Sequence, residues 1–290
     1  MSVIANRPAP GLVRLEGMKI LVTGATGKVG SRLVTRLSRR GAKVRALVRD
    51  PARLAAKDVE AVVGDLHDPG SLAAAVRGVD AVVHCAAFFR GATEAEAHAT
   101  NDTGTRHLAE AARAAGVTRF VFTSTGNVYG GTDGRLARED DECHPTAAYP
   151  VSKLAAERFL LGLDGLDVRV LRLPFVYGDG DPHIKEIVPH MKTFPASMRM
   201  SIAHHADVGQ AVERILDQGS PAYRVYNVVD DEPVDLATMF ASEGAPPPDG
   251  SQPERARPFN TVMDGQRIRA DLGFAPEFPR LADAIAARAT

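Results

Sequence analysis

A tyrosine and a lysine four residues apart carry the clearest chemical signal in this sequence. Tyr149 and Lys153 lie in a stretch whose pattern predicts a helix over about residues 149–161, so both side chains emerge on one face. A nearby ammonium group lowers the pKa of a phenol from its usual value of about 10. The spacing therefore indicates an acid/base pair, although a bare Tyr-x-x-x-Lys pattern also arises by chance on solvated helices.

A glycine-rich turn near the start of the chain favours the acid/base interpretation of the Tyr149/Lys153 spacing over a chance pattern. A β-forming run at residues 18–22 leads into Gly24, Gly27 and Gly30, and a helical pattern closed by Gly41 follows. Strand, glycine turn and helix in this order leave backbone N–H groups free at a helix N-terminus, where a pyrophosphate can approach without meeting a side chain. The segment predicts a dinucleotide-binding turn.

Composition and charge argue against several other classes of protein. The chain has 290 residues, 44% of them hydrophobic, and a net charge of −1. It has no apolar stretch of the roughly 18 to 20 residues that span a bilayer, and no basic cluster with interleaved aromatic residues for nucleic acid. Two cysteines, Cys85 and Cys143, indicate a reduced, cytoplasmic protein, and no Cys/His cluster has metal-site spacing.

We therefore expect a soluble protein that acts on a small molecule, with no metal and with neither a membrane nor a nucleic-acid partner. A homodimer is compatible with the sequence, which does not fix the number of subunits.

The elements that must position the chemical groups alternate regularly along the chain. Strand-like apolar runs lie at residues 18–22, 43–48, 59–63, 80–84, 119–124, 167–172 and 223–228, and most are separated by segments of helical period such as 96–115. This alternation is typical of an α/β fold with a Rossmann-type, doubly wound parallel sheet covered by helices on both faces.

The domain organisation follows from the same pattern. We expect residues 1–17 to form a flexible extension and residues 18–172, with 205–228, to form the dinucleotide-binding Rossmann domain. Residues 173–204 and 229–290 are expected to form a small C-terminal substrate-binding lobe, with a long loop where 244–258 are rich in Pro, Gly and Ser.

Seven segments complete the pattern, in this order: TGATGKVG at 23–30, GDL at 64–66, VDAVVHCAA at 79–87, TNDTGT at 100–105, FTSTGNVYG at 122–130, YPVSK at 149–153 and LRLPFVYG at 171–178. From about Met18 to Ile285 the chain resembles the extended short-chain dehydrogenase/reductases, the NAD-dependent epimerase/dehydratase family. The resemblance implies a nicotinamide dinucleotide cofactor and a Tyr/Lys acid–base mechanism.

The resemblance also implies roles for individual residues. Tyr149 becomes the catalytic acid/base, Lys153 lowers its pKa and holds the nicotinamide ribose, and Thr125 bonds the substrate oxygen, with Ser124 as the alternative hydroxyl. Two hydroxyl donors aimed at a carbonyl oxygen stabilise the charge that grows there during a reduction. The implied cofactor contacts are Gly24, Thr26, Gly27, Lys28, Val29, Gly30, Arg49, Asp65, Leu66, Ala86, Ala87, Asn101, Thr123, Tyr149, Lys153, Pro174 and Val176. The implied substrate contacts are Ser124, Thr125, Phe88, Phe175 and His204.

Several of these residues have an equally plain structural interpretation. Asp65 meets the adenine by resemblance, but an aspartate after a strand also caps a following helix, here one starting near Pro69. Asn101 is otherwise a polar residue that bridges backbone groups at a bend. His84 is better explained as a satisfied buried histidine beneath the cofactor, and His204 as the start of a surface helix.

The end of the second strand bears on the choice of cofactor. NAD-binding folds commonly place an acidic residue there and NADP-binding folds an arginine. Val48 occupies the usual acidic position and Arg49 follows it, so we expect a preference for NADP, with Lys28 as a second cation. Asp50 leaves NAD open, because it either caps a turn at Pro51 or neutralises Arg49.

Three departures from the nucleotide-sugar enzymes of the family favour a simpler reaction. Phe175 stands where those enzymes usually carry Asn, Ala206 stands where an Asp is common before Asp207, and the segment between Gly178 and His204 is short and largely apolar. Such a segment suits a hydrophobic or lightly oxygenated substrate better than a nucleoside diphosphate. Cations for a diphosphate would have to come from elsewhere, and the candidates are Arg255, Arg257, Arg267 and Arg269.

The sequence therefore predicts an NADP-preferring oxidoreductase that reduces a ketone, or oxidises the matching alcohol, on a small organic substrate. A nucleotide-sugar epimerase or dehydratase with transient hydride transfer is the alternative. A non-catalytic dinucleotide sensor is a third interpretation, although sensors of this fold usually lack the Tyr/Lys pair.

Overall fold

The computed structural model of the protein describes residues 15–89, 91, 93–131, 135–219, 221–251 and 261–288. Over these residues the strands, in chain order, are β1 (Lys19–Thr23), β2 (Lys43–Val48), β3 (Glu60–Val63), β4 (Ala81–His84), β5 (Arg119–Thr125), β6 (Leu136–Ala137), β7 (Asp167–Leu173), β8 (Phe175–Tyr177), β9 (Arg199–Met200), β10 (Ile202–His204), β11 (Val225–Asn227), β12 (Val234–Asp235) and β13 (Val262–Met263).

The helices of the same residues lie between the strands. They are α1 (Lys28–Arg39), α2 (Pro69–Ala75), α3 (Glu94–His98), α4 (Gly104–Ala114), α5 (Ala148–Gly162), α6 (His183–Ile187), α7 (His205–Asp217), α8 (Leu236–Ala241), α9 (Gln266–Leu272) and α10 (Leu281–Arg288). A π-helical segment, Ala99–Thr103, joins α3 to α4, so the predicted long helix at 96–115 is present with one wider turn inside it.

Seven strands form the main sheet in the order β11-β7-β5-β4-β1-β2-β3. Every pair in it is parallel, with Ile20 beside Ala81 in β4 and beside Val44 in β2. The order reverses direction at β1 and β4, and in such sheets ligands bind at the carboxyl ends of the strands near the switch point. The predicted doubly wound Rossmann-type fold is confirmed.

Two hydrophobic layers cover the sheet, because buried parallel strands carry apolar side chains on both faces. One layer packs α1 and α7 on the sheet through residues such as Leu33 and Val212. The other packs α2, α4 and α5 through residues such as Leu108 and Leu160. Helix α5, which carries Tyr149 and Lys153, is thereby fixed against β5 and β7.

A separate apolar cluster lies beyond the main sheet, and we call it the lobe core. It consists of Tyr177, Ile184, Val188, Met191, Met198, Met200, Ile202, Val234, Leu236, Met239, Phe240, Leu281 and Ala284. Helix α9 departs from the expected division, because its Ile268 and Leu272 pack in the layer around α7. No helix among the described residues is long and apolar enough to cross a membrane.

Part of the expected N-terminal extension belongs to the fold. Leu15 is buried in the layer around α1, and its N–H donates to the carbonyl oxygen of Arg40 at 3.1 Å. Residues 1–14 lie outside the described residues, as do the 252–258 part of the expected long loop and, within it, Arg255 and Arg257.

Candidate active site

A cavity of about 460 Å³ opens at the carboxyl ends of β1, β4, β5 and β7, where the switch point predicts a ligand. Tyr149 and Lys153 line it from the first turns of α5, which begins one residue before Tyr149 and thus close to where the pattern placed it. Thr123 and Thr125 line it from the end of β5, and Gly24, Gly27, Lys28, Val29 and Gly30 line it from the glycine turn. The cavity therefore brings the two sequence signals together.

The glycine turn is shaped for close approach of backbone to ligand. Gly24 has a φ of +66°, and a Cβ there would lie 2.6 Å from the amide nitrogen of Ala86. A Cβ on Gly30 would lie 2.1 Å from the carbonyl oxygen of Gly24. Gly27 caps α1 without a side chain, so the N–H groups of the first turn point towards the cavity mouth unobstructed. A dinucleotide pyrophosphate fits this cradle.

Burial dominates the electrostatics of the acid/base pair. Lys153 is 1% exposed, its Nζ lies 3.9 Å from the centre of the Phe122 ring, and burial lowers its pKa to about 7 against the opposing effects of Cys85 and Glu157. Burial likewise raises the pKa of Tyr149 above its usual value. Neither the Tyr149 hydroxyl nor the Lys153 ammonium has a hydrogen-bond partner among the described residues.

Burial outweighs the expected lowering of the phenol pKa by Lys153. In the structure both groups are removed from water, which penalises the phenolate, and the ammonium is itself only partly protonated near neutral pH. The phenol is consequently a protonated donor. The unpartnered Nζ also fits the expected ribose contact, because ribose hydroxyls would supply the hydrogen bonds that the protein does not.

A chain of hydrogen bonds fixes the backbone under Tyr149. The Asn101 side chain accepts from the N–H of Phe88 at 2.7 Å, donates to the carbonyl of Phe88 at 3.0 Å and donates to Ser152 Oγ at 3.0 Å. Ser152 Oγ in turn donates to the carbonyl of Tyr149 at 2.8 Å. Asn101 is therefore fully engaged in bridging the loop after β4 to α5, and it does not line the cavity as a cofactor contact.

His84 supports the strand ends from below. Its Nε2 donates to Thr105 Oγ1 at 2.9 Å, because that hydroxyl already donates to the carbonyl of Asn101. Its Nδ1 then accepts from Thr23 Oγ1 at 2.6 Å, and burial together with the charge of Lys153 lowers its pKa well below the usual value. His84 is a neutral, satisfied core histidine, as the plainer interpretation held.

The hydroxyl groups of β5 differ in their surroundings. Thr125 Oγ1 accepts from the N–H of Asn127 at 3.2 Å and so begins the 3-10 turn Gly126–Tyr129, and its own proton remains available for donation. Ser124 Oγ is buried without a partner among the described residues. Alternation along β5 turns Ser124 to the face that α5 covers. Ser124 nevertheless lines the cavity together with Thr123 and Thr125, so it stays the alternative hydroxyl.

Two predicted substrate contacts, Phe88 and His204, do not line the cavity, and in each case the next residue does. Phe88 is exposed outside the cavity, and it is Phe89 that lines it, with its ring 4.6 Å from that of Tyr149 in an edge-on arrangement. His204 is buried against Phe278 and caps α7 through the N–H of Ala206, whereas His205 lines the cavity. For Phe88 and Phe89, and likewise for His204 and His205, the path of the backbone at the end of the strand determines which of the two side chains faces the cavity.

Four predicted cofactor contacts, among them Asp65, which the resemblance places at the adenine, do not line this cavity. Leu66 is a core residue that packs against Gly104, Ala86 packs in the same layer beside Gly24, and Thr26 is exposed at the tip of the turn. Asp65 accepts from the N–H of His67 at 2.9 Å, and the cap of α2 is Asp68, not Asp65. These four residues lie along the carboxyl-terminal edge of the main sheet, between the glycine turn and the end of β3. Ala87, Pro174 and Val176, by contrast, line the cavity.

The end of β2 presents a free cation. Arg49 is exposed and has no ion pair or hydrogen bond among the described residues. Asp50 caps the 3-10 turn Pro51–Arg53 by accepting from the N–H of Ala52 at 3.0 Å. Of the two alternatives for Asp50, capping is the one observed.

Lys28, the predicted second phosphate cation, is paired with two carboxylates. Its Nζ lies 2.9 Å from Asp181 Oδ1 and 2.7 Å from Glu186 Oε2, so it joins the glycine turn to the segment after β8. His205 Nε2 lies 2.8 Å from the second Asp181 oxygen. Although burial opposes the effect, these two partners hold the pKa of Asp181 below its usual value. Asp181 was not singled out from the sequence, because no motif marks it.

The far side of the cavity is apolar, and we call its side chains the lobe wall. They are Phe175, His183, Ile187, Met191, Phe194 and Met200. Phe175 was expected here, whereas His183 was missed because a histidine between Pro182 and Ile184 gives no sequence signal. His190, which is exposed, lies at the rim.

The remaining groups add no separate chemistry. Cys85 lines the cavity as a free thiol, and burial raises its pKa to about 11, which leaves it protonated and unreactive. Within the described residues, no group of three or more His, Cys, Asp or Glu could hold a metal ion.

Comparison with known proteins agrees with this geometry. The sequence profile described as the NAD dependent epimerase/dehydratase family matches residues 20–228. A Mycobacterium tuberculosis protein named 3 beta-hydroxysteroid dehydrogenase/Delta 5-->4-isomerase is 32% identical over 250 residues, a match that spans 75% of this chain but only 66% of that protein, slightly less than two thirds of its length.

Two further relatives cover more of the chain. A Stigmatella aurantiaca protein named 4-hydroxy-2-methyl-3-oxo-4-farnesyl-3,4-dihydroquinoline-1-oxide ketoreductase is 30% identical over 277 residues, which is 89% of this chain and 76% of that protein. The solved structure of MoeE5 in complex with UDP-glucuronic acid and NAD superposes with a TM-score of 0.79 at 29% identity and covers 92% of this chain and 96% of that one.

Proposed function

Because the chain belongs to the NAD-dependent epimerase/dehydratase family, we propose that it is an NADP-preferring oxidoreductase that reduces a ketone, or oxidises the matching alcohol, on a small organic substrate. The dinucleotide would supply or accept the hydride. The glycine turn and Lys153 would hold it, and Tyr149 with Thr125 would act on the substrate oxygen.

One observation carries the proposal: the cavity has a polar end and an apolar end. Tyr149, Lys153 and Thr125 lie where β5 and α5 meet, and the lobe wall faces them without a charged side chain. A substrate that fits such a cavity has one oxygen to be reduced or oxidised and an apolar body. Relatives named as a hydroxysteroid dehydrogenase and a ketoreductase are consistent with that chemistry.

A protonated Tyr149 is the form that reduction of a ketone requires. The raised pKa of Tyr149 keeps its hydroxyl protonated at neutral pH, so it can donate a proton to an oxygen on which negative charge develops. The Thr125 hydroxyl can donate to the same oxygen. A Lys153 ammonium with a pKa of about 7 would stabilise the phenolate that remains after donation.

The unpaired Arg49 supports the preference for NADP. A guanidinium binds a phosphate through two parallel hydrogen bonds, and Arg49 has no other partner among the described residues. Asp50 does not neutralise it, because the Asp50 carboxylate caps the following turn. The MoeE5 complex contains NAD, so both dinucleotides belong in the test.

A nucleotide-sugar epimerase or dehydratase is the second candidate, and the UDP-glucuronic acid in the MoeE5 complex favours it. The charges of the present cavity oppose it. Lys28 is paired with Asp181 and Glu186, whose carboxylates would repel a second pyrophosphate. Arg267 and Arg269 are likewise engaged by Asp140 and Asp231, and no arginine among the described residues lines the cavity.

Net consumption of reduced cofactor tests the proposal. The purified protein is mixed with NADPH or NADH and a panel of ketones, and the loss of cofactor absorbance is recorded. We expect stoichiometric oxidation of cofactor with at least one ketone and faster reaction with NADPH. Conversion of a nucleotide sugar without net cofactor consumption, together with inertness towards every ketone, would contradict it.

A further inference from the structure

Two aromatic rings in the lobe wall are stacked on each other. The centroids of the Phe175 and His183 rings lie 4.1 Å apart with an angle of 21° between their planes. Both residues line the cavity. Because each ring covers one face of the other, the pair forms a single aromatic block in the lining of the apolar end.

The backbone holds both rings in place. Phe175 begins β8, where it lies beside Ile202 of β10, and Pro174 precedes it. His183 Nδ1 donates to the carbonyl of Val176 at 3.1 Å, and the His183 N–H donates to Asp181 Oδ1 at 3.0 Å. The aromatic block is therefore formed before any substrate arrives, so little side-chain entropy is lost on binding.

The other side chains of the lobe wall are adaptable. Met191 and Met200 are buried members of the lobe core that also line the cavity, and Ile187 packs beside them. Methionine side chains adjust to irregular shapes and contact aromatic rings favourably. The slot thus combines one fixed aromatic surface with a deformable apolar side.

We propose that the reacting carbonyl or alcohol is carried on a flat, fused-ring body that lies against the Phe175–His183 pair, an inference that rests on the proposed function. A rigid ring offers its whole face to the stacked pair in offset or edge-on contact. A flexible chain of equal carbon number loses rotational freedom on entering the slot and gains no ring contact. Phe175 and His183 are accordingly specificity-determining residues.

The test compares two ketones of equal carbon number, α-tetralone and the straight-chain methyl ketone. Binding to the NADP complex is measured by ligand-observed NMR and turnover by NADPH oxidation. We expect α-tetralone to be preferred by about tenfold in both. Phe175→Leu should reduce that preference about three- to tenfold, because it keeps an apolar side chain but removes the ring.

A matched control uses another phenylalanine of the same region. Phe278 packs on His204 and does not line the cavity, so Phe278→Leu should leave the preference unchanged. His183→Leu provides a second variant and should act like Phe175→Leu. Circular dichroism and NADP binding confirm that each variant is folded.

Equal binding of the two ketones, or a preference that survives both Phe175→Leu and His183→Leu, would overturn the inference. Preferential binding of α-tetralone without any NADPH oxidation would uphold the inference and count against the proposed function. The two claims are therefore separable by experiment.

Discussion

The glycine turn with its Tyr/Lys pair and the lobe wall bound the same cavity but are built differently. The first is made of backbone groups and of side chains fixed by hydrogen bonds, as Asn101 and Ser152 fix the start of α5. The second is made of aromatic and methionine side chains that extend from a small core of their own. The first contains the elements of hydride chemistry, and the second contains almost nothing that could bind a charged substrate.

The contrast teaches that reaction type and substrate type are encoded in separate parts of this chain. Gly24 and Gly30 tolerate no added Cβ, because it would lie 2.6 Å from the amide nitrogen of Ala86 and 2.1 Å from the carbonyl oxygen of Gly24, respectively. We expect that lobe-wall side chains can be replaced without disturbing β1 or α5, because none of them belongs to either element. The following variants test whether the residues for reaction type and those for substrate type act independently.

The largest expected effect is on turnover. Tyr149→Phe should lower kcat by a factor on the order of a hundred or more, because the proton donor is lost. Dinucleotide affinity should stay close to unchanged. The measurement is NADPH oxidation at saturating cofactor, with the exposed Tyr223→Phe as a matched control. Turnover at the level of the unaltered protein would remove Tyr149 from the mechanism.

Lys153→Met should stabilise the unliganded protein by an amount that depends on pH. The folded pKa of Lys153 is about 7 and that of the unfolded chain about 10.5, so between these values the unfolded state binds more protons. The penalty for burying the ammonium is thus complete below pH 7 and fades as the pH rises towards 10.5.

The difference in unfolding free energy between the Lys153→Met variant and the unaltered protein can be measured by urea unfolding. At pH 6 the Lys153→Met variant should be more stable than the unaltered protein by a few kcal/mol, because each tenfold change in the proton affinity of a group corresponds to about 1.4 kcal/mol. The difference should shrink by pH 10. Lys57→Met, at an exposed position, is the control. A difference that is the same at both pH values would show that the Lys153 ammonium carries no burial penalty.

Arg49→Ala should weaken NADP binding by about 1.5 to 3 kcal/mol, the range for hydrogen bonds to charged groups, and should barely affect NAD. Calorimetry with both cofactors measures this. Arg53→Ala removes a neighbouring exposed cation and should change neither affinity. Equal losses for NADP and NAD in Arg49→Ala would mean that Arg49 is only a surface cation.

The smallest effect is expected where the two regions meet. Glu186→Gln removes one half-exposed partner of Lys28 and should cost less than about 1 kcal/mol of unfolding free energy. Asp181→Asn should cost more, because Asp181 is buried and bonds both Lys28 and His205. Thermal or urea unfolding ranks the two. A larger loss of unfolding free energy for Glu186→Gln than for Asp181→Asn would contradict this ranking and would mean that the exposed Lys28–Glu186 pair is the stronger link between the glycine turn and the segment after β8.

The sequence predicted most of the first region, because its signals are local. The order of strand, glycine turn and helix fixes the position of Gly24, and the four-residue spacing fixes Tyr149 relative to Lys153. The sheet follows from the alternation of elements, and the family from seven short motifs.

Tertiary contacts explain what the sequence did not predict. Whether Phe88 or Phe89 faces the cavity depends on how Asn101 holds the backbone of Phe88, and no pattern encodes that bond. The choice between His204 and His205 depends on the packing of Phe278. The pKa of Tyr149 was expected to fall because spacing reveals a neighbouring charge but not the loss of water around it.

The most direct test of the central claim, that the lobe wall admits an apolar substrate and no nucleoside diphosphate, is a thermal-shift titration of the NADP complex. UDP, GDP and dTDP are titrated in parallel with α-tetralone. We predict saturable stabilisation by α-tetralone and none by the three nucleotides at micromolar concentration. Saturable stabilisation by any nucleoside diphosphate in that range would contradict the claim and favour the epimerase or dehydratase.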